Sequence, residues 1–198
     1  MMPIKVLVPS GVLGLGFDLE ALNNGVKNNP DIISIDGGST DSGPYSLGSG
    51  TSKYSRAAIK AEWKSLMIAR EKANVPLVIG SCGTCGTNGM VDWMENITIE
   101  LAEELNQNIK IAKLYCQQEK NFIKKNFQLR KIFPLNPAPM LNDQLIEEMT
   151  NIVALAGAEQ IQECINTGAE IILAGRTTDT AIISALPLMK GANPGSSW

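Results

Sequence analysis

The sequence predicts an α/β fold: an open, mostly parallel sheet of about six strands with helices on both faces, in Rossmann-like layers. Three observations point there. Short apolar runs bounded by glycine or proline recur along the chain, stretches long enough for a helix separate them, and the runs are near-continuously apolar rather than alternating. Strands buried on both faces read this way, and parallel sheets covered by crossover helices are built from such strands.

Taken in order, strands are expected at Ile4–Pro9, Asp31–Asp36, Leu77–Gly80, Ile109–Tyr115, Ile152–Leu155 and Glu170–Ala174. The first helix, Asp18–Lys27, opens on an aspartate that can cap it and stops at Asn28-Asn29-Pro30. Ser55–Ala73 carries Ala58, Ile59, Trp63, Leu66, Met67 and Ala69 on one face with Lys, Arg and Glu on the other, the stripe of a helix lying on a sheet. Further helices are expected over Met90–Asn106, within Gln117–Phe127, and over Asp143–Glu148, Glu159–Thr167 and Thr178–Met189, and no helix start is expected in Gly43–Ser49. Three prolines in Arg130–Leu141, RKIFPLNPAPML, forbid a regular helix and suit a crossing at a sheet edge. Residues 130–142 are therefore the one sub-boundary expected within a single α/β domain over 1–198. The closing KGANPGSSW reads as a hinge, so the chain is expected to be the N-terminal part of a longer protein.

Composition excludes several function classes. A net charge of −3 with no Lys/Arg block gives no electrostatic footprint for nucleic acid or an anionic membrane. The N-terminus lacks a signal-peptide pattern and no segment approaches the length of a membrane span, so a soluble, cytoplasmic protein is expected. Four irregularly spaced cysteines are then expected as thiols. Histidine is absent, which removes the commonest general base, every Ser-His or Cys-His dyad and all His-containing zinc sites within this chain.

In parallel sheets ligands bind outside the carboxyl ends of the strands, where loops run into helix N-termini. Glycine and small hydroxyl residues gather at those ends here: Ser10 and its glycines after the first strand; Asp36, Gly37, Gly38, Ser39, Thr40, Asp41 and Ser42 after the second; Ser81, Cys82, Gly83, Thr84 and Cys85 after the third; Arg176, Thr177 and Asp179 after the last. The opposite ends are ordinary connectors such as Lys72-Ala73-Asn74-Val75-Pro76. This asymmetry predicts one small-molecule pocket.

Each loop has a functional and a plain reading. GVLGLGFD resembles the dinucleotide fingerprint but lacks its third glycine, with Asp36 near the place of the ribose-binding acid. Thr51, Ser52, Lys53 and Arg56 gather at a helix start and suit an anion; alternatively Ser52 is a simple N-cap and the cations are solvated. Asp36, Asp41 and Asp179 could serve as acid and base, whereas an Asx-turn at Asp41 and a cap at Asp179 are the structural alternatives. Arg176 can grip a carboxylate or pair with a local acid. Glu159 reads as a first-turn acid of its helix. GSCGTCGTNG lacks the further ligands a zinc site needs, so no metal is expected; its position before a helix lowers thiol pKa values, which leaves Cys82 and Cys85 as nucleophiles, a redox pair, or plain pocket wall.

VLVPSGVLGLGFD, IDGGSTDSGPYSLGSGTSKYSRAAIK, IGSCGTCGTNGMVDWM and LAGRTTDTAIISALPLMKG together resemble the N-terminal region of the acyclic terpene utilisation protein A family, in order from residue 6 to residue 198. The resemblance implies a role in breaking down branched or acyclic carbon compounds through acyl-CoA intermediates, and a C-terminal region beyond this chain. It supplies a pathway and no particular reaction. The leading expectation is an enzyme acting on a small carboxylate or acyl-CoA, a lyase or hydratase, in which Lys53, Arg56 and Arg176 bind anionic groups, Asp36, Asp41 or Asp179 moves a proton, and Cys82 and Cys85 line or attack the reacting carbon. A non-catalytic nucleotide- or acyl-CoA-binding subunit and a thiol oxidoreductase are the alternatives. The cofactor is left unknown, and a homo-oligomer is compatible with all three readings.

Overall fold

The apolar runs pair in parallel. The computed structural model describes residues 3–38, 43–138 and 140–197, with Ser196 and Ser197 described by backbone only. Its sheet has five strands, β1 (Val6–Leu7), β2 (Ile32–Asp36), β3 (Leu77–Gly80), β4 (Ile111–Leu114) and β5 (Ile171–Ala174), in the order β1-β2-β3-β5-β4 and parallel throughout. The helices are α1 (Leu19–Lys27), α2 (Tyr45–Ser49), α3 (Arg56–Ala73), α4 (Asn88–Leu105), α5 (Lys120–Gln128), α6 (Asp143–Glu148), α7 (Ala158–Asn166), α8 (Ala181–Met189) and α9 (Pro194–Ser197).

Caps set the helix boundaries. The Asp18 carboxylate accepts from the N–H groups of Glu20 and Ala21 at 2.7 and 3.1 Å and starts α1, while the Ser55 hydroxyl accepts from Ala58 N–H at 3.2 Å and starts α3. Asn74 and Asn106 end α3 and α4 in the left-handed region. Glu159 lies in the first turn of α7, as its charge favours.

Chain direction explains the layers. Steps from β1 to β2, β3 and β4 all run the same way across the sheet, so right-handed crossovers place α1, α3 and α4 on one face; the step back from β4 to β5 places α7 on the other. The cores agree. Ile33, Ile35, Leu77, Ile79, Ile171 and Leu173 pack with α1, α3 and α4 around the buried Trp63, and Ile32, Val78, Ile172 and Ala174 pack with α7 and α8. The alternation along each strand is the period of two that a doubly covered sheet requires. Because β3 feeds α4 on one face and its neighbour β5 feeds α8 on the other, their carboxyl ends part at a topological switch point.

Four expectations need correction. Ile152–Leu155 is not a strand of the sheet: with Ala156 it makes isolated bridges, Val153 to Gln117 and Ala156 to Thr177, and its backbone bonds form one pair to the loop after β4 and one pair to the loop after β5. A short apolar run fits an extended strap as well as a strand, and Leu155 is exposed. The first strand is only Val6–Leu7, because Lys5 N–H donates to the Asp31 carboxylate at 2.7 Å and Pro9 has no N–H to offer. A one-turn helix, α2, does form within Gly43–Ser49. Finally, α8 begins at Ala181, where the Thr178 hydroxyl accepts from Ala181 N–H at 3.1 Å; Thr178 and not Asp179 does the capping. The described residues of the three-proline segment are irregular, as expected, with Phe133, Leu135 and Met140 exposed.

Candidate functional site

The loops after β2, β3 and β5 interlock at the switch point through backbone bonds. Gly37 N–H donates to Gly80 O at 2.6 Å, Thr84 N–H to Gly37 O at 3.1 Å, and Ser81 and Cys82 N–H groups to Gly175 O and Ala174 O at 2.8 and 3.0 Å. Such packing leaves no room for side chains. A β-carbon on Gly37 would meet Ser81 O at 2.5 Å, and one on Gly86 would collide with the Arg176 backbone. Part of the glycine enrichment at this edge therefore serves loop-on-loop contact. The loop is also strained, since Ser81 and Thr84 both hold positive φ, 47° and 72°. Each such residue costs about 1–3 kcal/mol, and strain of this kind persists where surrounding structure enforces it.

What the strain achieves is placement of the Ser81 hydroxyl. Fully buried, it accepts from Arg176 Nη1 at 2.6 Å, and the same guanidinium nitrogen donates to Thr177 O at 3.3 Å. Arg176 is thereby anchored at this edge, where its charge acts on Asp36 at the end of β2.

At that end stands Asp36, only 8% exposed. Its Oδ2 accepts from Gly38 N–H at 3.2 Å, while its Oδ1 is buried with no hydrogen-bond partner among the described residues. Burial raises its pKa and the negative charge of Asp179 raises it further; the Gly38 N–H, the Arg176 charge and the Gly37 N–H pull it back, and the outcome is about 7 against an ordinary 3.8. At neutral pH this carboxyl exists in both protonation states, the condition for efficient proton transfer.

The remaining expected residues fall into three groups. Asp41, Ser39, Thr40 and Ser42 lie outside the described residues. Asp36, Gly37, Gly38, Ser81, Gly83, Thr84, Arg176, Thr177 and the exposed Asp179 share the interlocked edge. Lys53 reaches it by its backbone, donating to Thr84 Oγ1 at 3.1 Å. Arg56 instead pairs with Glu100 of α4 at 2.7 Å on the outer helical surface. Ser52 accepts from Tyr54 N–H at 3.1 Å and Thr51 bonds Ser49 at 2.7 Å, so both hydroxyls shape their own turn, and the N-cap expected at Ser52 falls at Ser55. Ser10 likewise closes a turn with Val12.

Cys82 departs from the sequence expectation of a lowered thiol pKa. Cys82 and Cys85 are fully buried, and Cys82 packs into the core on the α3 and α4 side. Burial, followed by the charge of Asp36, pushes the Cys82 thiol well above its ordinary range, because a thiolate there would lack solvation beside a carboxylate. Among the described residues no cluster of His, Cys, Asp and Glu is arranged to hold a metal ion.

GVLGLGFD does not fit a nucleotide pyrophosphate either. The Gly14 and Gly16 N–H groups donate to the Glu62 carboxylate of α3 at 2.7 and 2.8 Å, and α1 begins only at Leu19. Glu62 went unnoticed in the sequence because a mid-helix glutamate on a polar face carries no signal. So did a carboxamide tie across the edge: Asn88 and Gln117 exchange backbone and side-chain bonds at 3.1 and 3.2 Å, Gln117 donates to Asn151 Oδ1 at 3.2 Å, and Asn151 donates to Leu47 O at 2.8 Å. Asn151, just before the segment expected to be a strand, thus secures α2 and, through Gln117, the start of α4.

Fold and site together define an open parallel α/β protein whose switch-point edge holds a buried carboxylate of near-neutral pKa within the field of an anchored arginine. The family described as acyclic terpene utilisation family protein AtuA matches residues 46–190, and the chain belongs to that family. No curated protein and no solved structure matches it. Membership assigns it a role in acyclic terpene utilisation. No helix among the described residues is long and apolar enough to cross a membrane.

Proposed function

We propose that this protein catalyses a proton-transfer step, of lyase or hydratase type, on a small carboxylate or acyl-CoA in the breakdown of acyclic carbon compounds. Asp36 is the acid and base, Arg176 binds the anionic end of the substrate, and the cysteine loop forms wall. The carrying observation is the Asp36 carboxyl, buried at the switch point with one oxygen unpartnered among the described residues and a pKa of about 7. A group that ionises at the working pH moves protons in both directions, and general acid–base catalysis of this kind contributes about 10²–10⁴-fold.

The test uses the full-length protein with a panel of saturated, unsaturated and hydroxylated short-chain acids and their CoA thioesters, followed by mass spectrometry. Asp36→Asn should reduce kcat by roughly two to four orders of magnitude while substrate still binds. Unchanged turnover in that variant would remove Asp36 from the chemistry. Binding without turnover across the panel, by the unaltered protein, would mark a non-catalytic carrier.

A further inference from the structure

Two buried oxygens at this edge have no hydrogen-bond partner among the described residues: Asp36 Oδ1 and Thr177 Oγ1. Buried hydroxyls and carboxylates rarely stay unpaired, since each orphaned group forfeits its solvation. The two belong to one locality. Asp36 and Gly80 are register partners on adjacent strands, so their side-chain directions leave the sheet on the same side. The Thr177 hydroxyl lies directly over Gly80 on that side, where a β-carbon would collide with it. Thr177 is completely buried, and its neighbours in the loop, Arg176 and Asp179, both act electrostatically on Asp36. Gly80 is thus the gap in β3 that admits the hydroxyl beside the carboxyl.

Resting on the acid–base reading above, we propose that Asp36 Oδ1 and Thr177 Oγ1 together hold one hydroxyl of the ligand, so that the site takes hydroxy acids or hydroxyacyl thioesters in preference to their deoxy counterparts. A ligand O–H satisfies both atoms at once, accepting from the threonine and donating to the carboxylate. A deoxy ligand leaves both unpaired, and sites built around buried polar groups discriminate strongly for that reason. Arg176, oriented by Ser81, then meets the carboxylate or thioester end of the same molecule.

The matched pairs 3-hydroxybutyrate with butyrate, and 3-hydroxybutyryl-CoA with butyryl-CoA, test this by calorimetric titration of the full-length protein. The hydroxylated member of at least one pair should bind about tenfold or more tightly, the usual worth of a hydrogen bond to a charged group. Thr177→Val, which keeps shape and removes the hydroxyl, should shrink that preference several-fold, and Thr177→Ser should restore it. Equal affinities within both pairs, no binding of any member, or a preference that survives Thr177→Val overturns the proposal. Asp36-dependent turnover together with equal affinities would sink the hydroxyl site alone; loss of Asp36 dependence would sink the acid–base reading.

Discussion

Asp36→Asn should stabilise the fold above neutral pH even as it removes activity. The amide keeps the side chain's shape and an acceptor for the Gly38 N–H, but it cannot ionise. In the unfolded chain the carboxyl ionises near 3.8, and in the fold near 7. Between those values the folded state holds a proton that the unfolded state has lost, so stability falls as pH rises. Stability is undiminished below about pH 4, declines by about 1.4 kcal/mol per pH unit, and levels off above about pH 7. Three such units give a ceiling of about 4 kcal/mol. The difference between variant and parent should therefore be small at pH 4, grow through pH 5 and 6, and reach a plateau of roughly 2–4 kcal/mol in favour of the variant by pH 8. Urea denaturation at one-unit intervals measures it directly. A variant less stable than its parent at pH 8, or a difference that does not change with pH, would show that Asp36 is not desolvated as described.

Other consequences follow from single contacts. Gly86→Ala should lower stability by about 3 kcal/mol or prevent folding, because it combines a backbone collision at Arg176 with a φ of +65°; Gly89→Ala, in open space in the first turn of α4, should raise stability by about 0.5–1 kcal/mol, both read from denaturant midpoints. Glu170→Ala should cost about 1–3 kcal/mol, since it removes the charge partner of the Arg70 guanidinium, which is 7% exposed, while Glu170 itself is 36% exposed; a loss under about 0.5 kcal/mol in thermal or chemical melts would place that pair in solvent. All four cysteines are buried, and burial raises the thiol pKa of Cys82, Cys116 and Cys164. Ellman's reagent should consequently label none of the four rapidly in native protein and all of them in urea, whereas fast native labelling of Cys82 or Cys85 would revive the nucleophile reading.

Much of the fold was legible locally. Asp18 as a cap, Ser55–Ala73 as a helix with its boundary at the serine, and Asp143–Glu148 as a helix all emerged as read. These features depend on neighbours a turn away. Ile152–Leu155 failed because four apolar residues specify extended chain but not a pairing partner, and the edge beside β4 was never offered to them. At the cysteine loop, of the readings left open, the structure bears on the lowered thiol pKa, and at Cys82 alone. Spacing before a helix suggested a thiolate, yet the loops from β2 and β5 close over Cys82 and reverse the balance between helix dipole and desolvation.

By itself, then, the sequence determined the layered parallel architecture, most element boundaries and the face on which glycine, hydroxyl and carboxylate residues collect, because strand periodicity, caps and breakers act over a few residues. Tertiary structure alone decided that β5 enters between β3 and β4 and opens the switch point. It also decided that Ser81 anchors Arg176 where its charge acts on Asp36, that Thr177 fills the gap above Gly80, and that Asp36 ionises near neutrality. Desolvation and electric fields sum over groups brought together from β2, β3 and the end of β5, and no local pattern in the chain records that sum.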